Sequence, residues 1–259
     1  MLPVKVLVGV KPKLFNMLCR QTVGSGFDLS MADLAAVPLA GYDAVLPLSL
    51  QDHAALTARR AAGERVPAVL PAPGAVALCN DKLKLNRHLI AAGLAALVPP
   101  LLPADAPPPY ILKHRRDVSG RQSQIVTTPE QAAALQDRPE SHWFRQVLVP
   151  GETEHALHVL MHGGRPVFHA RMTYRSAAEV YVKGIQSKPV SRQWSAGDDS
   201  LAALLPILQA VGFSDGLCCI DFKTLDGRVQ MFEVNPRFGA SLALQPTAML
   251  AAYWAALAA

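Results

Sequence analysis

Apolar and polar positions along this chain fall into short runs of two kinds, and each kind predicts a different element. Apolar runs predict strands at "VKVLVGV" (4–10), "DAVLPLS" (43–49) and "VPAVLPA" (66–72). Between the last two, "LQDHAALTARRAAGE" reads as a helix. Strands separated by helices imply parallel pairing in a small open α/β unit. No G-x-G-x-x-G follows the first strand, which leaves a dinucleotide site there without support.

Further along, "NDKLKLNRHLIAAGLAALVPPLL" (80–102) opens on an Asn-Asp cap, carries Leu83, Leu85, Leu89 and Ile90 at helical spacing, and closes at Gly93. A proline-rich connector (103–110) leads to a strand in "YILKHR", a polar loop in "RDVSGRQSQ", a strand in "IVTT" and a helix begun by Pro129. Residues 142–175 read as strands with turns at Pro150-Gly151 and Gly163-Gly164, followed by a loop over 173–193. A helix over 198–216 is expected to kink or stop near Pro206. A hairpin around Asp226-Gly227 follows, then an alanine-rich helix over 245–259 that packs on its own domain or across a homodimer.

Composition narrows the field. The 259 residues are 51% hydrophobic and 17% charged, a globular balance with room for a large core. No apolar run reaches the ~18 residues of a membrane span, and Lys5 interrupts the opening too early for a signal peptide. The net charge of +5 is spread out except at "KHRRD" (113–117) and forms no stripe with aromatics, which argues against nucleic acid and is compatible with small anionic ligands without singling them out. Cys19, Cys79, Cys218 and Cys219 form no C-x-x-C pair, so reduced thiols and a cytoplasmic setting are expected rather than zinc or disulfides. No H-x-x-x-H pair lies on a convincing helix, so zinc is not expected, and Cys218 and Cys219 read as buried rather than nucleophilic.

The chemistry concentrates in "MFEVNPRFGASL" (231–242), where Glu233, Asn235 and Arg237 alternate in an apolar strand. Buried charges need partners. With a two-residue Asp226-Gly227 turn, Asp221 pairs opposite Phe232 and Glu233 points to the other face. With a longer turn or a bulge, Asp221 meets Glu233, Lys223 faces Met231 and Leu225 faces Val229. That second register gathers Asp221, Glu233 and Asn235 on one face, a donor set suited to Mg²⁺ (or Mn²⁺) shared with nucleotide phosphates. An ordinary surface bridge from Asp221 to Lys223 or Arg237 is the alternative.

"CIDFKTLDGRVQMFEVNPRFGASLAL" resembles the closing hairpin of the ATP-grasp superfamily. "NDKLKLNRHLIAAGL…VPP", "YILKHRRDVSGRQSQIV" and "FRQVLVPGETEHALHVL" are similar to three earlier segments of that superfamily, in its order, over roughly 78–240. The resemblance implies an α/β, ATP-grasp fold: an N-terminal open parallel α/β domain (1–77), then two α+β lobes clamping ATP (78–145 and 146–259). It implies Asp221, Glu233 and Asn235 as metal ligands and Lys82 and Lys113 on the phosphates. The covering loop would act through backbone amides around Ser119 and Gly120. Adenine would lie along Gln146, Val147, Leu148 and Val149, walled by Leu148 and Met231, with Glu152 or Glu154 on the ribose. Arg237 and Arg171 would meet the acyl phosphate or substrate carboxylate, with Arg175 and Lys183 weaker candidates. Gln146 departs from the glutamate common there, His114 replaces a common proline, and the covering loop has one glycine.

The function this implies is ATP- and Mg²⁺-dependent joining of a small-molecule carboxylate to an amine, with ADP and phosphate released. A non-catalytic ATP-binding module, or an enzyme using a thiol or other acceptor, is the alternative.

Overall fold

A computed structural model describes residues 2–117, 120–135, 138–139, 141–186 and 188–258. Its described strands form three sheets. In the first, β1 (Val4–Val8) lies between β2 (Phe27–Met31) and β3 (Ala44–Leu46), all parallel. α1 (Pro12–Gln21) follows β1, and α2 (Leu50–Ala61) follows β3. α2 starts at Ser49 because its hydroxyl accepts from the Asp52 amide while the Asp52 carboxylate returns to the Ser49 amide, a reciprocal cap.

The strand expected over 66–72 is not one. The segment is buried, but its contacts are single bonds: the Val45 amide donates to the Pro67 carbonyl (2.7 Å), and the Val69 amide to the Tyr253 hydroxyl (2.9 Å). Pro67 and Pro71 have no N–H to give, so a ladder cannot close. The strand beside β1 is instead β2, where Phe27, Leu29 and Met31 alternate with Asp28 and Ser30.

The second sheet is antiparallel, in the order β4 (Leu101–Leu102), β7 (Trp143–Gln146), β5 (Tyr110–His114), β6 (Gln124–Val126). α5 (Pro129–Ala133) lies between β6 and β7 in the chain and starts on a Thr128 cap. Two helices precede this sheet, α3 (Pro73–Cys79) and α4 (Lys82–Ala91). Their apolar side chains Ala75, Cys79, Leu85 and Leu89 join the core of the third sheet, with Leu157, Ile220 and Met231.

That third sheet runs β10 (Ser191–Ala196), β9 (Arg165–Arg175), β8 (Thr153–His162), β11 (Gly216–Leu225), β12 (Arg228–Asn235), every pairing antiparallel. β9 and β10 shorten the loop expected over 173–193 to the stretch 176–190. α6 (Ser200–Ala210) passes through Pro206 without stopping there. A proline removes one helical hydrogen bond, and the burial of Leu204, Ile207 and Leu208 beneath the sheet outweighs it.

The last helix, α7 (Thr247–Ala258), lies against β8 and β9 of its own chain and joins them to the first sheet in one core. Met249, Leu250 and Tyr253 share a core with Val6, Val8, Leu14 and Leu18. The buried Tyr253 hydroxyl donates to the Val45 carbonyl (2.8 Å) and accepts from the Val69 amide.

Candidate active site

Sheet register decides which side chains meet. In the β11–β12 hairpin, Leu225 pairs with Arg228 around a two-residue turn whose Asp226 and Gly227 have φ of 50° and 74°. Two successive positive φ values match the twist of a tight hairpin. Lys223 therefore faces Gln230, and Phe222 faces Met231, correcting the sequence expectation of Lys223 against Met231 and Leu225 against Val229. A β-bulge then shifts the ladder, so that Asp221 pairs with Glu233 after all. The extra residue at the bulge puts Phe232 beside Glu233 on the same side.

That side lines a cleft of ≈ 270 Å³ between the second and third sheets. Asp221, Glu233, Asn235 and Arg237 enter it from the hairpin, Lys82 from the start of α4, Lys113 from β5, and Glu154 from β8. Gly120, Gln146, Val147, Leu148 and Val149 line it as well. The sequence thus names twelve residues that the fold brings to one cleft.

Three other candidates are not brought there, and a fourth lies outside the described residues. Met231 is fully buried in the core opposite Phe222, and the neighbouring Phe232 lines the cleft instead. Arg171 pairs across the ladder with Leu157, whose side chain lies in the core on the far face; its guanidinium binds Asp198 at 2.8 Å instead. Glu152 pairs with Arg175 at 3.0 Å outside the cleft, which leaves Glu154 as the acidic group inside it. Ser119 lies outside the described residues.

Each lysine is set by local bonds. Asp81 caps α4 by accepting from the Lys84 amide (3.1 Å) and takes two hydrogen bonds from Arg115 (3.0 and 2.7 Å). Burial pushes its carboxyl up, but these donors and the two arginines hold it below the ordinary carboxylate range. So fixed, α4 aims Lys82 at Glu233 Oε2 (3.2 Å) and the Asp117 carbonyl (2.8 Å). Lys113 donates to Gln146 Oε1 (2.8 Å), while Gln146 Nε2 donates to Asn86 Oδ1 (2.9 Å) and the Pro99 carbonyl (2.8 Å). Burial pushes the Lys113 ammonium down to about 8; Glu233 and Glu154 pull it up and Lys82 pushes it further down.

Two lysines that were not central to the sequence reading also line the cleft. Lys183 binds Glu154 Oε1 (2.6 Å) and Asp221 Oδ1 (3.0 Å). Its burial is overcome by these carboxylates, which hold it well above the ordinary lysine range. Lys223 donates to three backbone carbonyls, Val149 (3.3 Å), Gly151 (2.7 Å) and Glu179 (3.2 Å), and lies 4.3 Å from the centre of the Tyr181 ring. It ties the 147–151 segment to the 176–186 segment. Alternation would have found it, since 221 and 223 share a face. Lys183, in a polar loop, carried no such signal.

Among the carboxylates, burial and the neighbouring Glu233 and Glu154 push Asp221 up, against the pull of Lys183. Burial also pushes Glu233 up, but Lys82 and the Asn235 amide outweigh it and hold Glu233 low. Asn235 Nδ2 donates to Asp221 Oδ2 (3.2 Å) and Glu233 Oε1 (2.8 Å). Arg237 Nη2 donates to Asn235 Oδ1 (3.3 Å) and forms no ion pair among the described residues. Five cations against three carboxylates line the cleft, a balance suited to a polyphosphate.

A magnesium ion fits this donor set in kind. No three His, Cys, Asp or Glu side chains form a metal cage among the described residues. Two carboxylates and an amide do meet at the hairpin, and magnesium is commonly held by one or two carboxylates completed by phosphate oxygens and water.

No protein-family model and no curated protein matches the chain. Solved structures do. D-alanine–D-alanine ligase from Bacillus anthracis superimposes with a TM-score of 0.64 at 14% identity, covering 100% of this chain and 95% of the other. The same enzyme complexed with ATP gives 0.63 at 13% identity, covering 99% and 94%. Biotin carboxylase from Campylobacter jejuni gives 0.64 at 13% identity, covering 98% and 70%. All are ATP-grasp enzymes, and this chain has the ATP-grasp fold.

Proposed function

We propose that this chain is an ATP- and magnesium-dependent ligase that activates a small-molecule carboxylate as an acyl phosphate for attack by an amine. The observation that carries the reading is the meeting, in one cleft, of Lys82 and Lys113 with Asp221, Glu233, Asn235 and Arg237. The likeness to a ligase and to its ATP complex supports it.

In this reading the 147–149 backbone, Ile111, Phe232 and Val182 sandwich the adenine, and Glu154 meets the ribose. Lys82 and Lys113 bind phosphate oxygens. Asp221, Glu233 and Asn235 would hold magnesium or manganese, which polarises the transferring phosphoryl group as a Lewis acid. Arg237, without a carboxylate partner among the described residues, faces the charge that develops on the acyl phosphate. No protein nucleophile is called for: burial pushes the Cys218 and Cys219 thiols up, so neither supplies a thiolate. Catalysis is then positioning and charge neutralisation. A cytoplasmic setting belongs to the same proposal; no helix of the described residues is long and apolar enough to cross a membrane.

The test is thermal melting with and without Mg-ATP, on wild type and Glu233→Gln. Ligand at ~100 times its Kd adds about 2.7 kcal/mol to the folded state. A magnesium-dependent rise that Glu233→Gln abolishes is expected. No rise in wild type at millimolar Mg-ATP would overturn the reading.

A further inference from the structure

The acidic face of the cleft is already neutralised from within. Asp221 has both oxygens engaged: Oδ1 by Lys183 Nζ at 3.0 Å, and Oδ2 by Asn235 Nδ2 at 3.2 Å. The same Lys183 nitrogen is 2.6 Å from Glu154 Oε1 and 4.6 Å from the centre of the Tyr174 ring. Glu233 is matched by Lys82 and by the Asn235 amide. Asn235 presents its nitrogen to both carboxylates, and its oxygen receives Arg237. A divalent ion coordinating Asp221 Oδ1 would stand against an ammonium already bonded to that oxygen, and like charges a few Å apart in a partly buried site repel strongly.

Lys183 lies outside the strands of the three sheets. It sits on the segment 176–186, held over the cleft by Lys223, which donates to the Glu179 carbonyl (3.2 Å), and by the Ser176 amide (2.8 Å) and Tyr181 hydroxyl (3.2 Å), which donate to the Glu152 carbonyl. Val180, Tyr181 and Val182 line the cleft beside it. Displacing the ammonium thus calls for movement of its own segment, since Asp221 and Glu233 are fixed by the hairpin ladder.

We propose that Lys183, anchored on Glu154, is a resident cation that fills the divalent position at Asp221 until nucleotide arrives, so that the metal binds with the nucleotide and not before it. The proposal rests on the Mg-ATP reading of the cleft. Bare metal must displace a paired ammonium and leave it without an anion. Metal arriving with a polyphosphate brings the anions that receive the displaced charge. Lys183 is in this sense a positioning residue that sets the order of binding, and the chain's remaining metal ligands are the ones named above.

The probe is Mn²⁺, followed by the electron paramagnetic resonance signal of the free ion, with and without ATP. Wild type is expected to bind Mn²⁺ alone poorly and Mn²⁺ with ATP well. Lys183→Met is expected to bind Mn²⁺ alone at least roughly tenfold tighter than wild type, because the competing charge is gone. Lys183→Arg, which keeps a cation, is expected to stay weak. Adding Asp221→Asn to Lys183→Met is expected to abolish the gain, which ties it to this site. Should Lys183→Met not fold, Lys183→Gln removes the charge while keeping a polar group, and the same comparison applies. A folded, neutral variant that binds Mn²⁺ no tighter than wild type, while Mn-ATP still binds wild type, would overturn the resident-cation proposal alone. Failure of Mn-ATP to bind wild type would instead overturn the nucleotide reading, and this proposal with it.

Discussion

The ammonium of Lys113 rests 2.8 Å from the side-chain oxygen of Gln146, so a buried cation in the cleft wall leans on a neutral amide. The amide cannot turn away, because its nitrogen is committed to Asn86 and Pro99. Burial has already moved the Lys113 proton to about 8. Below that pH the ammonium is charged; above it the charge is lost and with it the attraction for phosphate. Nucleotide affinity should fall as pH rises through about 8, by up to ~10-fold per unit. Gln146→Glu supplies a contact carboxylate and should move that fall to higher pH. Calorimetric titration of ATP between pH 7 and 9.5, on both proteins, reads the difference.

Arg237 and Arg171 should separate cleanly. Arg237→Ala removes a cation that lines the cleft and should weaken nucleotide-dependent chemistry while leaving the melting temperature within a few degrees. Arg171→Ala leaves the largely buried Asp198 carboxylate without its 2.8 Å partner and should cost roughly 1–3 kcal/mol of stability with nucleotide affinity unchanged. Urea unfolding and ATP titration of the two variants check both arms. The reverse pattern would place Arg171 in the site.

Gly239 should resist substitution for reasons of space. Its φ of −82° suits any residue, but a Cβ there would lie 2.4 Å from His158 Cε1 and 2.9 Å from Cys219 Cβ. His158 is buried under this segment, its Nε2 is 2.8 Å from the Ser241 hydroxyl, and burial holds its ring neutral, with a pKa of about 3. Gly239→Ala should destabilise by about 1–3 kcal/mol by forcing these groups apart. His158→Ala in the same chain should recover part of that loss in a double-mutant unfolding cycle, since it vacates the space.

Tyr253→Phe deletes one buried oxygen and strands two partners, the Val45 carbonyl and the Val69 amide. The expected cost is about 1–3 kcal/mol. Amide exchange should quicken at Val69 in particular, because the hydroxyl is its acceptor; unchanged protection there would mean that the segment is held by other contacts.

The hairpin and its neighbours were legible because their chemistry is local. Asp221, Glu233 and Asn235 alternate in runs that name their own strands, and a two-residue Asp-Gly turn announces the hairpin. Lys113 was legible as a charge interrupting an apolar strand, whereas Lys82, on a polar helix face, was named through the resemblance. The missing parts depended on partners distant in sequence. The 66–72 segment has a strand's composition but prolines where a ladder needs donors. Arg171 and Met231 sit on strands correctly read, yet facing away, because only cross-strand register says which face is which. Lys183 looks like any solvated lysine until the fold carries its loop to Asp221. β2 was readable from Phe27, Leu29 and Met31, and Lys223 from its parity with Asp221, so those two lay within reach.

The irregularity beside Asp221 has a consequence for how this strand pair can change over time. On the turn side of it, β12 keeps the parity that buries Met231 against Phe222; on the far side the parity is reset so that Glu233 and Asn235 face the cleft. One strand thus carries two reading phases, one written for packing and one for chemistry, separated by a single inserted position. Substitutions in the packing phase can be sampled without rotating the ligands, and the reverse holds as well. Losing or gaining one residue there would merge the phases and turn the carboxylate inward, so tolerance to substitution and intolerance to single-residue indels should coexist within a few positions of Phe232.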